Sequence, residues 1–256
     1  MLRTTIAWRE KFVAASIHFL ATLLVSGLAA ALIFLVWFPD PFESMLRGWK
    51  LFGLVVGCDL VLGPLISLVI YNSRKRHREL VTDYSIVVAV QLAALVYGVF
   101  VVSGSRPVYV VYAKDRLEVV TASEINDADL QAAKAPYRSR PAWGPRLVGI
   151  EVPGTAEEQN KALFSALAGK DVSAQPRYYV PYESNLAQIR AHAQPLRVLT
   201  DRHPESRALI ATAVRTLKVR EDAVRWLPVQ HRWGFWTALI DAKTEEPLRY
   251  LPIDPY

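Results

Sequence analysis

The amino-acid sequence predicts a membrane protein with three transmembrane α-helices followed by an α+β extracytoplasmic domain with an antiparallel sheet. Most of the apolar length of the 256-residue chain lies before residue 103, whereas most of the charge lies after it. The charged part mixes short strand-like and helix-like segments without the regular β-α-β-α repeat of a doubly wound sheet. We therefore divide the chain into a membrane domain, residues 1–102, and an α+β domain, residues 103–256.

Three apolar runs of membrane-crossing length lie in the first domain. They cover about residues 17–38, 49–71 and 84–102, and each has 19 to 23 residues. That length is enough for a helix to cross a hydrocarbon core of about 30 Å. Aromatic residues lie at several of the ends, where an interfacial belt is expected. The first run also contains a small-residue stretch, Ala29–Ala31, that would suit a cleaved signal, but its apolar sequence continues past those alanines, which favours a span.

The basic residues predict the orientation of the spans. Seven Lys and Arg residues lie before the first span or between the second and third, against two between the first and second. Cytoplasmic connections carry such an excess, so we expect a cytoplasmic N-terminus and a periplasmic C-terminal domain in the inner membrane of a bacterium. The seven are Arg3, Arg9, Lys11, Arg74, Lys75, Arg76 and Arg78, and the two are Arg47 and Lys50. The run 74–78 would also suit anionic membrane lipid, although its role in topology already explains it.

Polar residues lie in the middle of all three spans. Asp59 is near the expected bilayer midplane, Gln91 has a similar depth in the third span, and Ser26 occupies the middle of the first. Ionisable groups at this depth are costly and usually face the interior of a bundle. A protonated Asp59 bonded to Gln91 would clamp the helices together. The alternative is a docking point for a partner helix, while an ion or proton relay would need more such groups.

The second span has further features of a helix that meets other helices. Pro64 removes a helical hydrogen bond and introduces a kink. Gly53 and Gly57 form a GxxxG pair, which allows the main chain of another helix to approach closely. The candidate contacts for a partner helix are therefore Gly53, Gly57, Asp59, Pro64 and Gln91.

The α+β domain is predicted from its turn and capping residues. Its expected strands form a hairpin around Lys114–Asp115, a strand over 146–152, and a three-stranded meander with turns near 232–234 and 243–246. Its expected helices are a short helix capped by Ser123, a helix between Thr155 and Gly169, a helix near 185–192, and a helix from Pro204 to about Leu217. Two aromatic groups are candidate contact surfaces, although core packing explains part of each. They are Tyr178, Tyr179 and Tyr182, and Trp233 and Trp236.

The sequence contains no catalytic or metal-binding pattern, and it predicts no cofactor. No two of its five histidines stand three to five residues apart, and Cys58 is its single cysteine, so zinc-type spacing is absent. Nucleophile-elbow and phosphate-loop motifs are absent as well. The pair Asp127–Asp129 resembles the DxD of a sugar-nucleotide transferase, but a solvated acidic turn explains it better. The net charge of +6 is shared equally between the two domains, which argues against a nucleic-acid binder.

Three stretches resemble the type IV pilin accessory proteins of the TfpX/TfpZ type. They are CDLVLGPLISLVIYN with the basic connection (58–78), AVQLAALVYGVFVV with RPVYVVYAKDRLEVV (89–120), and WTALIDAKTEEPLRYLPIDPY (236–256). The resemblance implies a chaperone-like, multi-pass inner-membrane protein that supports pilus assembly, display or retraction without enzymatic activity. It also implies a cognate major type IV pilin as partner, with the inner-membrane pilus assembly machinery as a further candidate.

A helper of this kind is expected to contact pilin in two places. The resemblance implies that pilin waits in the inner membrane, anchored by one apolar helix with a globular head outside. We therefore expect the second span to contact the pilin helix and the α+β domain to contact the head. Two alternatives stay open, namely a membrane-bound enzyme that modifies pilin and a membrane protein whose periplasmic domain senses a ligand.

Overall fold

The computed structural model describes residues 8–72, 75–151, 154–167 and 169–256, apart from the side chain of residue 51. Arg3, Arg74 and the end of the strand predicted over 146–152 lie outside the described residues. The chain divides into two compact units, which we call the bundle unit (Met1–Val36 with Arg47–Gly104) and the sheet unit (Trp37–Leu46 with Ser105–Tyr256). The connection after the first long helix thus belongs to the sheet unit.

Nine α-helices are present in the described residues, and three of them are long. In chain order they are α1 Trp8–Leu32, α2 Phe42–Leu46, α3 Gly48–Ile70, α4 His77–Ser105, α5 Asp127–Ala132, α6 Ala156–Leu167, α7 Leu186–His192, α8 Leu196–Arg202 and α9 Arg207–Leu217.

The bundle unit consists of α1, α3 and α4, each long and apolar enough to cross a membrane. A π-helical turn, Ile33–Trp37, extends α1. Both α1 and α4 include charged residues ahead of their apolar runs, at 9–11 and 77–79. Arg, Lys and Glu favour helix about as well as leucine, so the helices are longer than the apolar runs alone predict. Gly98 brings α4 close to α3, since a Cβ at Gly98 would lie 2.8 Å from Val55.

The sheet unit is built around one eight-stranded sheet. Its strands are β1 Pro107–Ala113, β2 Arg116–Thr121, β3 Arg146–Ile150, β4 Tyr179–Pro181, β5 Gln194–Pro195, β6 Val224–His231, β7 Gly234–Asp241 and β8 Pro247–Leu251. Their spatial order is β4-β3-β1-β2-β6-β7-β8, and β5 pairs with the other part of β6.

The predicted hairpin and meander are confirmed, but the expectation of an antiparallel sheet is wrong. Strands β1 and β2 form the hairpin, and β6, β7 and β8 form the meander, all antiparallel. Two parallel pairs, β1 with β3 and β2 with β6, make the sheet mixed. Both pairs join strands separated by long intervening segments, as parallel pairing requires. Such distant pairing leaves no local pattern in the sequence.

Two helix starts illustrate what capping residues predict. Thr155 opens α6 as expected, because its Oγ1 accepts from the Glu158 main-chain nitrogen at 3.2 Å. The cap of α5 is Asn126 rather than Ser123. Its Oδ1 accepts from the Asp129 nitrogen at 2.8 Å, and residues 122–124 form a separate 3₁₀ turn before it. Helix α8 has no predicted counterpart.

The core of the sheet unit has two clusters of buried side chains, one around Tyr109 and Tyr179 and one around Trp226. The Trp226 indole is 2% exposed and donates to the Pro195 oxygen at 3.2 Å. The 37–46 connection packs with this unit, because the Phe42 ring lies 5.5 Å from the ring of Tyr250.

Candidate partner-contact sites

A polar cluster joins the three long helices. In α1, the His18 ring places Nδ1 2.5 Å from the Ser67 hydroxyl of α3 and Nε2 2.7 Å from the Gln91 side-chain oxygen of α4. An amide oxygen only accepts hydrogen bonds, so His18 Nε2 donates to Gln91, and Nδ1 shares a hydrogen bond with the Ser67 hydroxyl. We call His18, Ser67 and Gln91 the polar cluster.

Gly63 of α3 provides the space that the polar cluster occupies. A Cβ at this position would lie 2.5 Å from Gln91 Nε2 and 3.1 Å from His18 Nε2. The buried glycine therefore lets two polar side chains from neighbouring helices meet against the main chain of α3.

The clamp expected between the Asp59 carboxyl and Gln91 is not formed as predicted. Gln91 Nε2 instead donates to the Asp59 main-chain oxygen at 3.4 Å, and the Gln91 oxygen is taken by His18. Among the described residues, no group forms a hydrogen bond with the Asp59 carboxyl group. The three helices are thus clamped through His18 and Ser67 in place of the carboxylate.

The predicted contact residues of α3 lie on two different faces. At about 100° per residue, Gly57 and Pro64 lie within roughly 40° of Gly53, whereas Asp59 is turned about 120° away. Gly53 and Gly57 are exposed, and a Cβ at either would have no atom within 4 Å among the described residues. Asp59 is 8% exposed. Helix α3 runs through Pro64 without a break.

Two members of the polar cluster, His18 and Ser67, are not among the residues that the sequence singles out as contacts. A search for closely spaced histidines does not detect partners on other helices. The usable signal is depth, because His18, Ser67 and Gln91 all lie in the predicted cytoplasmic half of their spans. Polar residues in the same half of successive spans therefore predict a contact that spacing along the chain does not.

Two of the predicted surface tyrosines are core residues, and that prediction is wrong for them. Tyr179 is 1% exposed, its ring lies 4.8 Å from that of Tyr109, and its hydroxyl donates to the Ser173 oxygen. Tyr182 is 4% exposed and donates to the Glu245 oxygen at 2.7 Å. Each hydroxyl has an internal acceptor, which allows the ring to be buried.

The other predicted aromatic contacts differ in how accessible they are. Trp233 is 53% exposed at the β6–β7 turn, with the Arg232 guanidinium 5.5 Å from its ring. Trp236 is half-buried, and its ring lies 6.3 Å from that of His231. Tyr178 packs partly against the core. Of the five predicted residues, Trp233 is the one with a largely exposed ring.

Helix α6 carries an exposed apolar patch that the sequence does not single out. Leu163, Phe164 and Leu167 are 57%, 69% and 76% exposed. Lys161 on the same helix pairs with Glu157 at 2.6 Å. An amphipathic pattern predicts a helix that packs its apolar face inward, so the pattern alone does not reveal that this face stays open.

Two clefts of about 560 Å³ and 510 Å³ open on the sheet unit. The first lies between the 37–46 connection, α9 and β8. The second lies beside the end of β2 and includes Glu118, which is 8% exposed. Burial raises the pKa of the Glu118 carboxyl above its ordinary value, a hydrogen bond from Ser173 opposes that shift, and the charge of Asp171 adds to it. Within the part of the chain that the structure describes, no three His, Cys, Asp or Glu side chains could hold a metal ion.

The acidic pair of α5 is only half solvated, which corrects the expectation of a solvated turn. Asp127 is exposed and pairs with Arg140 at 2.8 Å. Asp129 is 3% exposed and lies between two cations, with Arg177 at 3.1 Å and Lys170 on its other oxygen. It therefore ties α5 to the segment before β4.

Asp129→Asn is expected to destabilise the sheet unit by about 2 kcal/mol, since it leaves two cations without their buried counter-ion. The two cations keep some access to solvent, which holds the loss below that of a fully buried pair. Asp127→Asn serves as the matched control, with an expected change below about 1 kcal/mol for an exposed pair. Thermal unfolding of the purified full-length variants would measure both, and equal losses would contradict the structural assignment.

Three long apolar helices joined by a polar cluster, followed by a sheet-containing unit, define a membrane-associated protein. The sequence pattern described as "Fimbrial assembly protein FimB" matches residues 6–47. The chain is 33% identical over 227 residues to "Fimbrial assembly protein, serogroup I" of Dichelobacter nodosus and 31% identical over 227 residues to the serogroup E1 protein of the same organism. Each match covers 88% of both proteins.

The chain belongs to the family of fimbrial assembly proteins. A third relative, "Fimbrial assembly protein, serogroups C1 and C2" of Dichelobacter nodosus, is 38% identical over 109 residues, which is 43% of this chain and 83% of the relative. The resemblance to pilin accessory proteins noted in the sequence is thereby confirmed. No solved structure matches the chain.

Proposed function

We propose that the protein is a non-enzymatic accessory factor of type IV pilus biogenesis that contacts its cognate major pilin in the bacterial inner membrane. The observation that carries this proposal is the 33% identity to a fimbrial assembly protein over 88% of both chains. Pilus assembly, display or retraction is the process it serves, and the inner-membrane assembly machinery is a second partner.

The proposed orientation has a cytoplasmic N-terminus and a periplasmic sheet unit. The excess of basic residues before the first span and between the second and third supports it. A second support is that the connection Trp37–Leu46 belongs to the same compact unit as Ser105–Tyr256. The two segments follow the first and third helices, so three crossings place both on one side of the membrane.

The bundle unit is the proposed contact for the apolar helix of pilin. Gly53, Gly57 and Pro64 share an open face of α3, and Asp59 with Gln91 lies on another side of the bundle. The exposed side chains around these residues can contact either lipid or a neighbouring helix. In a membrane, van der Waals packing and interhelical hydrogen bonds drive the association of helices.

The sheet unit is the proposed contact for the pilin head. Trp233 is suited to this role, since an exposed indole beside Arg232 offers an amphipathic anchor of the kind enriched in binding hot spots. The apolar patch of α6 adds a second surface. Trp236 and Tyr178 support these surfaces from partly buried positions, and the basic residues at 75–78 contact anionic lipid on the cytoplasmic side.

Deleting the gene in a piliated host is expected to remove surface pili while leaving the mass of intact pilin unchanged. Electron microscopy would count the pili, and mass spectrometry of intact pilin would detect any modification. Gly57→Val tests the open face of α3 that carries Gly53, Gly57 and Pro64, which we call the glycine face. Normal protein abundance and reduced piliation in the same host are the expected result. Unchanged piliation in the deletion strain would refute the accessory role, and a mass difference in pilin would favour the modifying enzyme.

A further inference from the structure

A narrow groove opens between α1 and α4 on the side of α3 that carries Asp59. It has a volume of about 100 Å³. Its walls are mostly apolar, and Val25, Val88 and Leu92 on its rim are 40%, 43% and 46% exposed. The groove is therefore accessible from the lipid-facing surface of the bundle.

Three buried polar residues, His18, Ser26 and Asp59, line this groove, and the His18 ring is already hydrogen-bonded within the polar cluster. Ser26 is 3% exposed, and its hydroxyl has no hydrogen-bond partner among the described residues. A serine within a helix usually bonds back to the carbonyl four residues earlier, and Ser26 does not. The Asp59 carboxyl group, which also has no hydrogen-bond partner among the residues that the structure describes, lines the same groove.

Ser26 and Asp59 lie at one depth. Ser26 is eleven residues before the end of the first long helix at Trp37, and Asp59 is eleven residues after the start of α3 at Gly48. At 1.5 Å per residue, both are about 16 Å from the side of the 37–46 connection. That is close to the middle of a hydrocarbon core of about 30 Å, where lipid tails supply no hydrogen bonds.

We propose that the groove binds one side chain from a transmembrane helix of a second protein. This side chain donates hydrogen bonds to Asp59 and Ser26. At about 100 Å³, the groove admits one small side chain while the partner helix lies over the rim. The carbonyl oxygen of the Asp59 carboxyl group accepts a hydrogen bond in either protonation state, so the groove suits a donor, which an acyl chain does not supply. Under the function proposed above, on which this inference rests, the helix is the membrane anchor of pilin.

Two serines of the bundle separate this role from a structural one. Ser26→Ala removes a buried hydroxyl that has no internal partner, so the bundle is expected to be as stable as before or more stable. Contact with the partner is expected to fall about threefold, as the loss of one interhelical hydrogen bond predicts. Ser67→Ala is the matched control, because Ser67 is bonded to His18. It is expected to lower stability and leave partner contact per folded molecule unchanged.

Photo-crosslinking of the full-length protein in piliated cells tests the proposal. A benzophenone amino acid at Val25 or Leu92 probes the groove, and one at Leu54 or Gly57 probes the glycine face. The expected result is a crosslink to pilin from the groove positions that weakens about threefold in Ser26→Ala.

Four results would overturn the groove assignment, and they have different meanings. Crosslinks to pilin from the glycine face alone would leave the proposed function intact and move the contact to that face. Crosslinks from the groove to a second copy of this chain, or a pilin crosslink that Ser26→Ala does not change, would also reject it. No pilin crosslink from either face in cells that display pili would reject the membrane contact of the proposed function as well.

Discussion

Gly63→Val is expected to leave little folded protein in the membrane, whereas Gly57→Val leaves the amount unchanged. A Cβ at Gly63 lies 2.5 Å from Gln91 Nε2 and 3.1 Å from His18 Nε2. Overpacking costs about 1–3 kcal/mol, and each disrupted hydrogen bond of the polar cluster adds about 0.6 to 1.7 kcal/mol. The total expected loss is about 3 kcal/mol, a large part of the stability of a typical domain.

The measurement is the quantity of monodisperse protein after detergent extraction, together with its midpoint of thermal unfolding. Gly57 is a close control because the same substitution on the same helix meets no atom within 4 Å. Similar losses at both positions would mean that valine is poorly tolerated throughout α3, and the polar cluster would then have no special need for a glycine.

Gly149→Ala is expected to destabilise the sheet unit by about 3 kcal/mol. A Cβ on this β3 residue would overlap Asn185 Oδ1 and lie 2.9 Å from the Asn185 Cγ. Asn185 has little room to move, since it is 8% exposed and its amide donates to the Ile150 oxygen at 3.1 Å. The variant therefore combines overpacking, about 1–3 kcal/mol, with the loss of a buried hydrogen bond, about 1–3 kcal/mol.

Tryptophan fluorescence during thermal unfolding reports on this unit through Trp226, which is buried in one of its core clusters. Gly154→Ala provides the comparison, because its Cβ would meet nothing within 4 Å. An unchanged unfolding midpoint in Gly149→Ala would show that the Asn185 side chain relocates without cost.

The parts of the fold that depend on neighbouring residues were predictable from the sequence. Hydropathy and length predict the three long helices, and the turn residues around Lys114 and after His231 predict the hairpin and the meander. The parallel pairs β1–β3 and β2–β6 were not predictable, because they join strands whose partners lie far along the chain. Short α8 was not predicted, although α7, which has the same length, was.

The candidate site shows a similar division. Asp59 and Gln91 are recognisable as unusual because a polar group is expensive in an apolar run. Their partners are not, since His18 lies 49 residues from Ser67 and 73 from Gln91 along the chain. The prediction for two tyrosines failed for a different reason. Tyr179 and Tyr182 are as aromatic as Trp233, but their hydroxyls have internal hydrogen-bond acceptors at Ser173 and Glu245, which allow both rings to be buried.

The membership of residues 37–46 in the sheet unit makes that unit discontinuous in sequence. The ribosome completes this segment about sixty residues before it reaches β1, and two long helices lie in between. Phe42 therefore lacks its ring partner Tyr250 until synthesis of the chain is almost complete. The sheet unit consequently reaches its final packing only after the helices of the bundle unit have been synthesised, and a fragment cut at residue 103 lacks one of its own segments.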